Sequence, residues 1–185
     1  MKKLGIALGI ILVLILGVFT YSGGFQSIKV KEGHSEAHLV VGFRHQGPFH
    51  EIGEKFKLAQ DMGTQLMMYR DSAIGIYFDD PGTVAEDSLR SFAGIVVKDS
   101  TQAKAFIGFA KGKGQQAILM RIEAGNTAYV DFKTSTALSY MIGPFKCYPA
   151  IGEYLMNKGD EGKKSVYEIY TLSECTYVFN IGEAH

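Results

Sequence analysis

One acid stands apart from the rest of the chain. Glu168 lies between Tyr167 and Ile169 in the run Val166–Tyr170, whose aromatic and β-branched residues read as a strand. A carboxylate in mid-strand is costly to bury unless it is paired or hydrogen-bonded. Glu168 is therefore either buried with a partner or faces water from an edge strand. Asp79 and Asp80 are adjacent, and neighbouring side chains diverge in an extended chain. No third ligand is near them, so a turn-forming role fits better than a cation site. His34 and His38, and His45 and His50, lack the cysteines or helical frame of a metal set. Cys147 follows Lys146, but a lone thiol on a helix reads as inert. Gly108, Gly112 and Gly114 lack the GK[ST] of a phosphate loop. No Ser-His-Asp or Cys-His signature is present. The expectation is no catalytic residue, no metal and no cofactor.

The elements that position Glu168 belong to a chain of 185 residues with 46% apolar residues. That length supports one compact domain plus an appendage. Nineteen basic and nineteen acidic residues cancel, leaving no cationic surplus for phosphates, so nucleic acid is not an expected partner. Two cysteines, Cys147 and Cys175, cannot make a disulfide framework and read as isolated thiols.

The appendage is N-terminal. Leu4 to Phe19 carries no polar side chain, and Thr20-Tyr21 extends it into the range of about 17–25 residues that spans a bilayer. A signal peptide is the rival reading, but Phe19-Thr20-Tyr21-Ser22-Gly23 offers no small-x-small cleavage pattern. Residues 1–24 are expected to be an uncleaved single-pass anchor and 25–36 a tether to a domain over 37–185. Lys2 and Lys3 precede the span, which puts the N-terminus in the cytoplasm and the domain outside it.

Within the domain, Ala37–His45 reads as a strand. A helix opens at Gly47-Pro48 and carries Phe49, Ile52, Phe56, Ala59, Met62 and Leu66 on one stripe. Ala73–Phe78 alternates and Phe92–Val97 is almost wholly apolar; Asp79-Asp80-Pro81-Gly82 stops the first, so the two form an antiparallel pair with a wide acidic loop. A short helix follows over Thr101–Lys111. Gln115–Glu123 and Ala128–Thr134 read as a hairpin turned at Ala124-Gly125-Asn126. Thr134-Ser135-Thr136 caps a helix running to about Lys158; Pro144 and Pro149 inside it predict a kink or an irregular first half. Asp160–Lys164 is a solvated turn, and Val166–Tyr170 with Thr176–Ile181 is a last hairpin. The order suggests two copies of a strand-helix-strand-strand unit, without visible identity between the halves.

Tyr77-Phe78-Asp79-Asp80-Pro81, Arg90, Gly94-Ile95-Val96-Val97 and the later Glu168-Ile169-Tyr170 resemble the GyrI-like domain, the effector-binding domain of bacterial multidrug regulators. The resemblance covers roughly Ala37 to Ile181. It implies an α+β fold, a pseudo-twofold duplication with an antiparallel sheet and two main helices, and a ligand groove near the repeat junction. By that resemblance Glu168 is the polar anchor, and Tyr170, Tyr77, Tyr140 and Tyr148 are walls. Aromatic walls around one fixed charge suit a small hydrophobic or cationic molecule. Some GyrI-like proteins hydrolyse electrophiles, a role for which Glu168 and Tyr170 are the matching residues. The anchor followed by such a domain also resembles the testis-expressed reticulophagy receptor of animal endoplasmic reticulum. That resemblance implies an adaptor with its domain on the cytosolic face. It requires a long acidic tail, and this sequence stops at His185. No helix-turn-helix precedes the domain.

Overall fold

The computed structural model describes residues 2–68, 72–160 and 166–181. The turn expected over Asp160–Lys164 lies, apart from Asp160, outside them. The helices are α1 (Lys2–Tyr21), α2 (Gly53–Gln65), α3 (Ser100–Gly112) and α4 (Ala137–Asn157). The strands are β1 (Lys31–Ser35), β2 (His38–Gln46), β3 (Ala73–Tyr77), β4 (Arg90–Val97), β5 (Ile118–Ile122), β6 (Gly125–Lys133), β7 (Val166–Tyr170) and β8 (Glu174–Asn180). All eight strands form one antiparallel sheet in the order β1-β6-β8-β7-β3-β4-β2-β5.

That order is symmetric about the β3–β7 pair. Each side has a central strand, its hairpin partner, the strand that leads into a main helix, and an edge strand. The fold is the α+β pseudo-twofold duplication implied by the GyrI-like resemblance, with α2 and α4 as its two main helices.

Two expectations fail at the edges. β5 and β6 are not a hairpin: β5 pairs with β2, whereas β6 pairs with β1 and β8. Only Glu123 and Ala124 separate them, although they lie six strand positions apart in the sheet. Laid flat, six spacings of about 4.8 Å would part them by about 29 Å, while the link reaches about 11 Å. The sheet must curl until its two ends approach. Its inner face then packs on itself: Val40, Ile74, Ile76, Phe92, Tyr167 and Val178 form one cluster with Ile122 of β5. The second failure is in the stretch read as a tether. Lys31–Ser35 of that stretch is the edge strand β1, in register with Gly125–Tyr129. Exposed residues such as Lys31 and Glu32 hid it, because an edge strand needs no apolar face.

The helices cover the outer face. α2 and α3 bury Ala59, Met62, Ala103, Phe106 and Ala110 against Val41, Phe43 and Ile95. α4 buries Cys147, Ile151 and Leu155 against Val130, Phe132, Cys175 and Tyr177. Asp99 caps α3 by accepting from the N–H groups of Thr101 and Gln102 at 2.8 and 2.9 Å. At α4 the hydroxyl of Ser139 accepts from the Thr136 N–H at 3.1 Å. α4 is helical without a break through Pro144 and Pro149, so of the kink or irregular first half expected, the irregular first half is absent. Packing of its buried stripe holds the helix where two backbone donors are missing.

Candidate ligand-binding site

β3 and β7 meet at the centre of the sheet, where Gly75 stands opposite Glu168. The pseudo-twofold axis passes between these two residues, so Tyr77 and Tyr170, each two positions further on, are equivalent. The sequence carries this relation as Ser72-Ala73-Ile74-Gly75-Ile76-Tyr77 against Ser165-Val166-Tyr167-Glu168-Ile169-Tyr170, a short repeat too weak to show as identity between the halves. One half places a glycine at the axis and the other an acid. A Cβ on Gly75 would stand 2.9 Å from Phe56 Cζ and 3.2 Å from the Tyr77 hydroxyl.

Period-two alternation puts Glu168 and Tyr170 on the outer face, between α2 and α4. There Glu168 is only 2% exposed. Tyr148 of α4 donates to its Oε1 and Tyr170 donates to its Oε2. The Tyr77 and Tyr170 hydroxyls lie 3.1 Å apart, and the Cys175 thiol is 4.0 Å from Oε2. An aromatic shell surrounds this core. Phe56 of α2 stands edge-on to Tyr170 at 4.9 Å, and Phe49 to Tyr77 at 5.0 Å. Tyr148 stands edge-on to Tyr177 at 5.4 Å and to Phe179 at 5.7 Å. Tyr140 lies 5.9 Å from Tyr170 and is 43% exposed, forming the outer rim.

Among the described residues no cation pairs with Glu168. Burial raises its pKa, against the opposing hydrogen bonds from Tyr148, Tyr170 and Tyr77. Burial first, and the Glu168 charge second, hold Tyr77, Tyr148 and Tyr170 well above the ordinary phenol value. Burial also pushes the Cys147 thiol up to about 12 and raises Cys175. The result is a buried acid with hydroxyl donors and no counter-charge, a state relieved by a proton or by a cation.

All five residues picked from the sequence, Glu168, Tyr170, Tyr77, Tyr140 and Tyr148, therefore converge. Phe49, Phe56, Tyr177, Phe179 and Gly75 complete the shell and were not picked; Phe49 and Phe56 were visible only as part of a helix stripe. An open groove was expected at Glu168, whereas phenol rings cap the carboxylate. Cavities of about 330 and 420 Å³ lie elsewhere, the larger against Arg44, Phe78, Arg90 and Met120. Asp80 makes the expected turn, accepting from the Gly82 N–H at 2.8 Å. Asp79 instead grips Arg90 through two guanidinium bonds of 2.7 and 2.9 Å and its backbone N–H at 2.7 Å. Arg90 holds the Asp79 carboxyl below its usual range.

No family model and no curated protein matches the chain. Solved structures do. The EcmrR C-terminal domain superposes with a TM-score of 0.56 at 13% identity, covering 85% of this chain and 99% of that one. SAV2435 bound to tetraphenylphosphonium gives 0.56 at 6% identity, covering 84% and 94%. A hydrolase from Listeria innocua gives 0.53 at 11% identity, covering 89% and 98%. At such identities the likeness is one of fold.

Proposed function

We propose that this protein is a membrane-anchored domain that takes a small hydrophobic cation at Glu168. The observation that carries the reading is the buried carboxylate with three phenols around it and no cation paired with it among the described residues. An isolated buried charge costs several kcal/mol, and a cation among aromatic faces removes that cost. The similar fold of SAV2435 with tetraphenylphosphonium bound supports the same ligand class. Entry requires the capping rings of Tyr148 and Tyr170 to turn outward, past the exposed Tyr140. The anchor is α1, long and apolar enough to cross a bilayer, with mean hydropathy 2.6 over Lys3–Tyr21 and none of that stretch buried. Lys2 and Lys3 orient it with the domain outside the cytoplasm.

The test is calorimetric titration of wild type and Glu168→Gln with tetraphenylphosphonium and with a neutral compound of the same shape. The substitution should weaken cation binding by about 1–3 kcal/mol, the worth of a charge-assisted contact, and leave the neutral compound nearly unaffected. Equal losses for both would assign Glu168 to packing. No cation binding to wild type overturns the ligand reading.

A further inference from the structure

Outside α1, Phe25, Met141, Phe145 and Leu172 are exposed large apolar side chains on the segments beside the point where that helix leaves the domain; Met67 and Met156 are comparably exposed on other segments. α1 ends in a Schellman turn: the Gly24 N–H reaches Phe19 O at 2.9 Å, the Gly23 N–H reaches Thr20 O at 3.1 Å, and Gly23 has φ +91°. No slack follows. The Ser22 hydroxyl, fully buried, meets that of Thr136 at 2.7 Å. The Lys146 ammonium donates to Gly24 O and Gln26 O at 2.7 Å each and to Gly23 O at 3.4 Å. Gln26 in turn bonds the Lys133 N–H at 3.3 Å. The exit of α1, Ser22 to Gln26, is thus fixed to the cap and the middle of α4.

Around this junction stand Tyr21, Phe25, Met141, Phe145 and Leu172, from 65% to 84% exposed. Phe25 sits between Gly24 and Gln26, whose carbonyls Lys146 holds at 2.7 Å each, and Phe145 immediately precedes Lys146. Met141 is one helical turn before Phe145. Leu172 lies in the β7–β8 turn, which the Thr134 N–H ties to this end of α4 through Ser173 O at 2.9 Å. Water is a poor neighbour for such a cluster. A chain fixed without slack to a membrane-spanning helix brings its first residues against lipid.

We infer that the Met141–Phe145 face of α4, with Phe25 and Leu172, seats in the headgroup–acyl boundary of the bilayer that α1 crosses. This rests on α1 being a membrane anchor. Tyr140, the rim of the candidate site, is the neighbour of Met141 on the same helix, so the seated face places the rim beside lipid. A hydrophobic cation that partitions into the membrane then enters from the lipid side.

The chain contains no tryptophan, so a single introduced one is a clean probe. Full-length protein carrying Phe145→Trp is placed in vesicles of phosphatidylcholine brominated on the upper acyl chain. Ile11→Trp reports on α1, and Leu119→Trp, on the distant edge strand β5, reports on solvent. Emission from Phe145→Trp should fall about twofold relative to unbrominated lipid, as for a ring about 5–10 Å into the boundary, while Leu119→Trp is unchanged. Quenching of Ile11→Trp without quenching of Phe145→Trp leaves the anchor standing and overturns the seated face. A blue-shifted Phe145→Trp that bromine does not quench means a protein covers the face, and also overturns it. Failure to quench Ile11→Trp removes the anchor and the inference with it.

Discussion

At the scale of the residue, the proposed binding role of Glu168 ties folding, binding and pH together. Its folded-state pKa is raised by burial, so the native protein holds the proton at a pH where the unfolded chain has lost it. Stability from this group is fully present below the ordinary carboxylate range. It is lost as pH rises through the raised value, by about 1.4 kcal/mol for each pH unit that separates the folded from the unfolded pKa. Denaturant melts from pH 4 upward should show wild type losing stability in that window. Glu168→Gln, which cannot ionise, should lack this loss and equal or exceed wild type at neutral pH. A wild type that gains stability there relative to the variant would mean that the phenols more than compensate the charge. Cation affinity should run the opposite way, rising with pH over the same window, because the carboxylate is the binding form.

At the scale of the element, close approach sets where α4 lies. Gly143 faces the sheet, and a Cβ there would overlap the Tyr177 hydroxyl and come within 3.3 Å of Phe132. Gly143→Ala should cost about 1–3 kcal/mol, the usual penalty for overpacking. Adding Tyr177→Phe, which removes the obstructing hydroxyl, should recover part of the loss. A double-mutant cycle with no coupling would show that α4 shifts freely instead. The α1–α4 junction is tested by Lys146→Met, which keeps the apolar stem and deletes the donor. Hydrogen exchange should accelerate at the amides of Gly23, Gly24 and Gln26, which close the turn, while the core strands keep their protection. Unchanged exchange at those amides would mean that the Schellman turn holds the exit without Lys146.

At the scale of the molecule, the proposal that α1 is an anchor, and the orientation proposed for it, decide what the domain meets. Full-length chain should stay in membranes washed with carbonate, and removal of residues 1–24 should release it. A soluble form trimmed at its N-terminus would instead identify α1 as a cleaved leader. A reporter fused after the domain should be active only outside the cytoplasm. Activity in the cytoplasm would reverse the orientation drawn from Lys2 and Lys3, whose margin over Lys29 and Lys31 is small.

Period and composition act locally, so the sequence carried the apolar α1, the three helices of the domain, the two hairpins β3–β4 and β7–β8, and the anomaly of an acid at Glu168. Hairpin partners lie close along the chain, and alternation fixes which face each strand buries. Partner choice at the sheet edges is not local. β5 and β6 read as a hairpin from a short link, yet they lie six positions apart in the sheet order, and the curl of the sheet lets the link join them. β1 carried no periodic signal, because its pairing with β6 rests on backbone bonds and polar side-chain contacts such as Lys31–Asp131 rather than on a buried apolar face. The same holds for the site. Glu168 and Tyr170 share a strand face by spacing, but Tyr148 and Phe56 reach them only because α2 and α4 flank the twofold axis. That axis also decided that the carboxylate is capped rather than open, since ring packing across two halves is a property of tertiary contact that no single segment encodes.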